Sequence, residues 1–343
     1  MCNRVCVVVG GVLLAGLAMT QQKPRLNPVI DLLAEHKPVF GLYAPANPRG
    51  GRGGRGGGRG AGGAGGGAVG TPDTTPPPPR KTAAELAADA VAYKGADLIF
   101  DGTMEGGARF DTSLAAFSQF AQGMLAAGYV QKSLARLSHP LFVKMTEIHG
   151  NDQAESQIAK QLNAGVSGVV FVSVESADEV KRGLAAMRFK SNGGTRPDDV
   201  AGAPAMWGLS EKDYKAKADL WPLNPNGELV NWTIVETQKG LDNVREIAAV
   251  KGIGALFPGA GTLGGLFTTT DSTGRRVRDN EKWEAAIQKV LAACKEFNVP
   301  CGFPIGDPAT MELRMKQGFS VFIINWNQNG FAAVEVGRKA SGR

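Results

Sequence analysis

An acidic residue at the end of an apolar strand is the feature of this sequence best suited to chemistry. Residues 231–263, NWTIVETQKGLDNVREIAAVKGIGALFPGAGTL, read as strand, helix, strand, and Glu236 closes the first strand. A carboxylate so placed stands at the rim where (β/α)8 barrels build their sites, and it is the donor type that holds a hard divalent cation. The second strand ends in Gly259-Ala260-Gly261-Thr262, so a hydroxyl stands where a partner carboxylate would complete the pair. Three histidines (His36, His139, His149) are too few and too scattered for a multi-histidine metal site. Cys294 and Cys301 fit either a bridge or two small buried hydrophobes; Cys2 and Cys6 lie in a segment expected to be removed.

The elements that must position Glu236 alternate along the chain. Pro28–Glu35 reads as a helix and Pro38–Ala44 as the first strand. From about Lys81, helix and strand patterns follow one another: AAELAADAVAYKGA, DLIFDG, SLAAFSQFAQGMLAAG, a strand at Leu141–Met145, a helix at Gln153–Ala164, GVSGVVFVSV, and SADEVKRGLAAMRF with Ser176 and Glu179 in capping-box register. Ala216–Glu228 reads as a loop. Strands at Leu229–Val235, Ala255–Phe257, Pro300–Pro304 and Ser320–Asn325 then interleave with helices at Gly240–Val250, Glu281–Phe297, Ala309–Gln317 and Gly330–Lys339. Eight strands with helices between most of them, over roughly 300 residues, point to a closed (β/α)8 TIM barrel rather than an open doubly wound sheet. No G-x-G-x-x-G follows the first strand with a helix behind it, and no P-loop, H-E-x-x-H or G-x-S-x-G occurs.

Two segments stand apart. Met1–Thr20 has one basic residue (Arg4), an apolar run Val5–Met19 and small residues before Gln21-Gln22, the pattern of a secretory signal peptide; an uncleaved anchor is the alternative. The expectation is an exported protein, periplasmic or extracellular, with no membrane segment after cleavage and one domain over 21–343. Within it, 48–81 forms a disordered Gly/Arg/Pro-rich insertion after the first strand. Net charge is +6, and Arg49, Arg52, Arg55 and Arg59 crowd into this insertion. No aromatic residue is interleaved from Arg49 to Arg80, so no base-stacking platform exists, and the tract reads as a solvated linker rather than a nucleic-acid module.

The order of segments resembles the HpcH/HpaI aldolase/citrate lyase family, the metal-dependent class II pyruvate aldolases, over most of Leu26–Lys339. The resemblance is carried by ADLIFDGTMEGG, FVKMTEIHGND, LNAGVSGVVFVSVESADEV, MWGLSEKDY and TIVETQKGLDNVREIAAVKGIGALFPGAGTL, in that order. It implies a divalent cation (Mg, Mn or similar) held by a Glu and an Asp, binding the carboxylate and keto oxygens of a 2-oxo acid. It also implies an Arg on the enolate oxygen and a His paired with an Asp for the proton. Glu236 matches the metal Glu and Asp101 the Asp of the proton-handling pair, while the Gly259, Ala260, Gly261 and Thr262 segment matches the substrate-binding loop. Four positions depart: Met104 replaces the His, Lys144 the Arg, Ile234 a Gln, and Thr262 the metal Asp. Glu105, His149 and Glu175 are the available substitutes as base or ligand. The implied function is a carbon–carbon lyase acting through an enolate, with Lys144, Asp101 and Glu105 as catalytic candidates. The alternative is a catalytically degenerate barrel that binds a small carboxylate or sugar acid. The resemblance further implies a homo-oligomer built by swapping the final helix.

Overall fold

In the computed structural model, residues 24–47 and 79–343 are described; the expected signal peptide and nearly all of the Gly/Arg/Pro-rich insertion lie outside them. The eight main strands are β1 (Val39–Tyr43), β2 (Leu98–Asp101), β3 (Leu141–Lys144), β4 (Gly168–Phe171), β5 (Leu229–Val235), β6 (Ile253–Pro258), β7 (Gly302–Ile305) and β8 (Val321–Ile324). All pair in parallel, in the spatial order β7-β8-β1-β2-β3-β4-β5-β6, which makes an α/β fold with a curled sheet. At its two ends a single parallel bridge joins Leu256 of β6 to Cys301 beside β7, and Leu256 N donates to Pro300 O at 2.9 Å.

The curl follows from side-chain size on the inner face. Gly168 lies opposite Phe142 in register, and a Cβ there would stand 2.2 Å from the Phe142 ring. Gly302 leaves the same room for Phe257, at 2.1 Å. Glycine on one strand thus admits an aromatic ring from its neighbour. The rings of Phe142, Phe257 and Phe100 gather on Trp232 at 4.5, 5.2 and 6.3 Å between centroids. Val29, Ile30 and Leu33 of helix α1 (Pro28–Ala34) belong to this inner cluster, so the helix closes the end where the strands begin. The larger cluster lies between the sheet and the outer helices, including α2 (Ala83–Ala92), α3 (Phe110–Ala126), α4 (Ala154–Asn163) and α5 (Ala177–Met187).

Several local expectations change. The helix expected at Gly240–Val250 is two short ones, Gln238–Asp242 and Val244–Ala248. Glu211–Lys217 is helical, and the expected loop after it holds the two-residue strand Leu220–Trp221, which pairs with the start of β5. Gly259-Ala260-Gly261-Thr262 is not an open loop: Ala260–Leu266 is a helix, and Trp283 Nε1 donates to Ala260 O at 2.8 Å. Cys294 and Cys301 form a disulfide. The flanks of the insertion meet, since the Asn47 amide donates to Lys81 O at 2.7 Å and accepts from Lys81 N at 2.8 Å.

Candidate active site

Parallel strands bring their C-terminal ends to one rim. Tyr43, Asp101 and Lys144 are the last residues of β1, β2 and β3, and Glu236 follows β5. Glu236 is buried, and its Oε1 accepts from Ser173 N at 3.2 Å and Ser173 Oγ at 3.0 Å. Ser173 holds this position with a φ of 51°, a left-handed conformation that side chains other than glycine rarely adopt. On the other side the backbone of Gly259 presses on the carboxylate: a Cβ there would lie 2.3 Å from Glu236 Cβ and 2.5 Å from Oε2. Gly259 N donates to Val235 O at 2.8 Å, which fixes that approach. Glu236 is therefore gripped by two neighbouring strand ends, leaving Oε2 without a described hydrogen-bond partner.

Lys144 reaches the same mouth. Its Nζ donates to Glu105 Oε2 at 3.0 Å, from the short 3-10 turn Thr103–Glu105 that follows β2. Burial opposes the charged form of Lys144, yet the carboxylate of Glu105, with Tyr43 and Glu236, outweighs it and holds the ammonium above the ordinary lysine value. Gly102 separates Lys144 from Tyr43: a Cβ on it would be 3.7 Å from each side chain. Burial keeps the Tyr43 phenol above its ordinary range; the Lys144 ammonium pulls against this, and Glu105, Asp101 and Glu236 reinforce it. Asp101 is likewise raised by burial, against two hydrogen bonds from Thr103 to its Oδ1, at 2.6 Å from the hydroxyl and 2.7 Å from the backbone. One ammonium, three carboxylates and a protonated phenol thus sit within electrostatic reach of one another.

Met104, at the position where the resemblance expects histidine, is fully buried, and the Gln161 amide donates to its sulfur at 3.6 Å. It belongs to the packing. Thr262 lies in the first turn of the Ala260–Leu266 helix, half-buried. Among the described residues, no three His, Cys, Asp or Glu side chains converge at Glu236. One carboxylate beside neutral hydroxyls does not fit the paired-carboxylate metal site that the resemblance implies.

The two remaining substitutes join each other rather than Glu236. His149, Glu175 and Glu179 place donor atoms within 4.8 Å of one another on the rim beyond Ser173. Glu175 Oε2 lies 3.3 Å from Lys239 Nζ, and Glu179 accepts from Glu175 N at 3.3 Å. Ser176 Oγ caps α5 through Glu179 N at 3.3 Å, which realises half of the expected capping box; the Glu179 carboxylate accepts from Glu175 N rather than from Ser176 N. Sequence reasoning missed Tyr43 and Ser173. Tyr43 was visible only as the last residue of an apolar strand, and nothing local marks Ser173 as a donor to a carboxylate 63 residues away.

A family model, HpcH/HpaI aldolase/citrate lyase, matches residues 137–320. The hydroxypyruvate/pyruvate aldolase of Paraburkholderia phytofirmans is 28% identical over 168 residues, 47% of this chain and 58% of that protein. The 5-keto-4-deoxy-D-glucarate aldolase of Salmonella gallinarum is 27% identical over 145 residues, 42% of this chain and 51% of that protein. The matched region thus spans little more than half the length of these relatives. In fold, the chain is similar to an HpcH/HpaI aldolase/citrate lyase family protein from Burkholderia cenocepacia, with a TM-score of 0.60, 20% identity, and 92% and 97% of the two chains covered. An HpcH/HpaI aldolase from Desulfitobacterium hafniense gives 0.55 at 16% identity, covering 92% and 94%. With the strand order and the rim geometry above, the matched residues establish that this chain belongs to the HpcH/HpaI aldolase/citrate lyase family.

Proposed function

We propose that the protein is a carbon–carbon lyase acting on a 4-hydroxy-2-oxo acid through an enolate, with a lysine carrying the charge that stabilises it. The observation that carries this reading is the convergence of Lys144, Glu105, Asp101, Tyr43 and Glu236 at adjoining strand ends. In the cleavage direction the C3–C4 bond breaks, its electron pair moves to the C2 oxygen, and the 4-hydroxyl gives up its proton as the aldehyde forms. Lys144, held by Glu105 and kept charged, faces the enolate oxygen that develops. Asp101, raised by burial, takes the hydroxyl proton. Protonation at C3 then releases pyruvate or its analogue. Glu236, fixed by Ser173, orients the substrate by accepting from its hydroxyl side.

A second reading, a barrel that binds a small carboxylate without turning it over, is favoured by one observation: the buried Met104 cannot move a proton. Proton–deuterium exchange at the pyruvate methyl group, followed by NMR in D2O with and without EDTA, separates the two. Exchange above buffer that is lost in Lys144→Met supports the lyase. Folded protein that binds pyruvate without exchange overturns it in favour of the binding barrel.

We also read the curled sheet as a closed (β/α)8 barrel, supported by the Leu256–Cys301 bridge. Export with loss of Met1–Thr20 remains our proposal; N-terminal sequencing of protein secreted from an expression host tests it. Self-association through the last helix has its own test in sedimentation velocity.

A further inference from the structure

The end of the sheet opposite the rim holds a polar cavity of about 330 Å3, among residues that precede β1, β2 and β3 and the end of the last helix, Gln328–Ala340. Four cations line it (Lys94, Arg136, Arg338 and Arg343) against two carboxylates, Asp31 and Asp97. Most of these are already engaged. Arg343 donates to Asp97 Oδ2 at 3.0 Å and to Oδ1 at 2.5 Å; Arg338 donates to Asp97 Oδ1 at 3.4 Å and to Gly95 O at 3.2 Å. Lys94 Nζ donates to Val91 O at 2.7 Å.

Arg136 differs. It comes from the two-residue strand Arg136–Leu137, paired antiparallel with Val130–Gln131, which sets its backbone. Its Nε is buried with no hydrogen-bond partner, and no described acid lies within ion-pair distance of its guanidinium. Asp31 is near enough to be felt electrostatically, but the two form no ion pair. Arg136 lines the cavity, and its two terminal nitrogens make no described hydrogen bond; such a fork is suited to an anion that presents two oxygens to it. Asp31, in the same cavity, repels a bare anion but accepts from a hydroxyl.

We propose that this cavity binds a small oxyanion that also carries a hydroxyl, a hydroxycarboxylate or hydrogen phosphate, with the oxyanion on the Arg136 fork and the hydroxyl toward Asp31. The site lies at the strand-start end, remote from the rim, so it acts independently of the proposed lyase chemistry.

Titration calorimetry on the full chain tests this, using the Lys144→Met variant throughout to suppress anion binding at the rim. Malate, succinate and inorganic phosphate are the probes. The expected result is one site per chain, with malate tighter than succinate and binding weakened about tenfold or more by adding Arg136→Gln. Asp31→Asn is expected to erase the preference for malate. The tighter of malate and phosphate identifies the source of the oxyanion. Equal binding with and without Arg136→Gln, or no binding of any probe at millimolar concentration, overturns the proposal. Should Arg136→Gln not fold, Arg136→Lys keeps the charge without the fork: weakened binding supports the site and unchanged affinity overturns it.

Discussion

Acid should destabilise this protein through His139, and the size of the effect can be worked from its surroundings. The ring is buried, with Nε2 2.9 Å from Tyr93 O and Nδ1 3.0 Å from Ser138 Oγ. A carbonyl at Nε2 requires a proton there, so the neutral tautomer donates to Tyr93 and accepts from Ser138 at Nδ1. Burial pushes its pKa down from 6.5 to about 4; the Tyr93 carbonyl and Asp97 oppose this, and Lys94 adds to it. The unfolded chain therefore takes up a proton near pH 6.5 that the folded chain refuses until about pH 4. The associated stability is complete above pH 6.5, falls as the pH drops through that window, and falls no further below about 4. At about 1.4 kcal/mol per pH unit, the loss across the window is about 3 kcal/mol. His139→Gln keeps a donor and cannot titrate. It should cost about 1 kcal/mol at pH 7 through imperfect packing and then lose less as the pH falls. Urea unfolding of both proteins between pH 7.5 and about 4 measures this. The curves should cross, the variant becoming the more stable at the acid end. Parallel curves would refute the argument, because they would mean that the folded state protonates His139 as readily as the unfolded chain does.

Four further outcomes follow from the rim and its supports. Lys144→Met should lower pyruvate methyl exchange by about two orders of magnitude or more, and Lys144→Arg, which keeps the charge, should retain part of it; equal rates in all three proteins would remove Lys144 from the mechanism. Gly259→Ala forces a methyl to 2.3 Å from Glu236 Cβ, so it should cost about 1–3 kcal/mol of stability and abolish exchange; an unchanged melting curve would count against the close approach. Asp101→Asn removes a half-buried carboxylate whose raised pKa works against folding above the carboxylate range, so it should stabilise the protein at neutral pH while stopping exchange. Thermal melts read the first effect and NMR the second. The Cys294–Cys301 disulfide closes a short loop, and Cys294→Ser with Cys301→Ser should lower stability by roughly 2–3 kcal/mol in chemical denaturation.

The alternation of elements was legible in the sequence because hydrophobic period is a local property. Seven of the eight main strands fall within a residue or two of where apolar runs predict them, and Gly168–Phe171 is three residues shorter at each end than the run GVSGVVFVSV. One helix start was legible because its side-chain cap declares itself, at Ser176. What failed was local in a different way. Gly259-Ala260-Gly261-Thr262 carries two glycines and reads as a loop, yet it is drawn into a helix by contacts such as the Trp283 indole on Ala260 O. The strand Leu220–Trp221 is too short for any period, and only its pairing with β5 makes it one.

The sequence by itself determined that Glu236, Asp101 and Lys144 end strands, that Met104 cannot move a proton, and that the second carboxylate of a metal pair is absent. Those are statements about residue type and position, and residue type does not change on folding. Tertiary structure alone decided who meets whom. It joined Lys144 to Glu105, brought Tyr43 into their field, tied Glu236 to Ser173 and Gly259, and sent His149 and Glu175 to each other. The physical reason is range: periodicity acts over a few residues, whereas these contacts join strand ends tens of residues apart, and only the parallel register of the curled sheet brings them within a few ångströms.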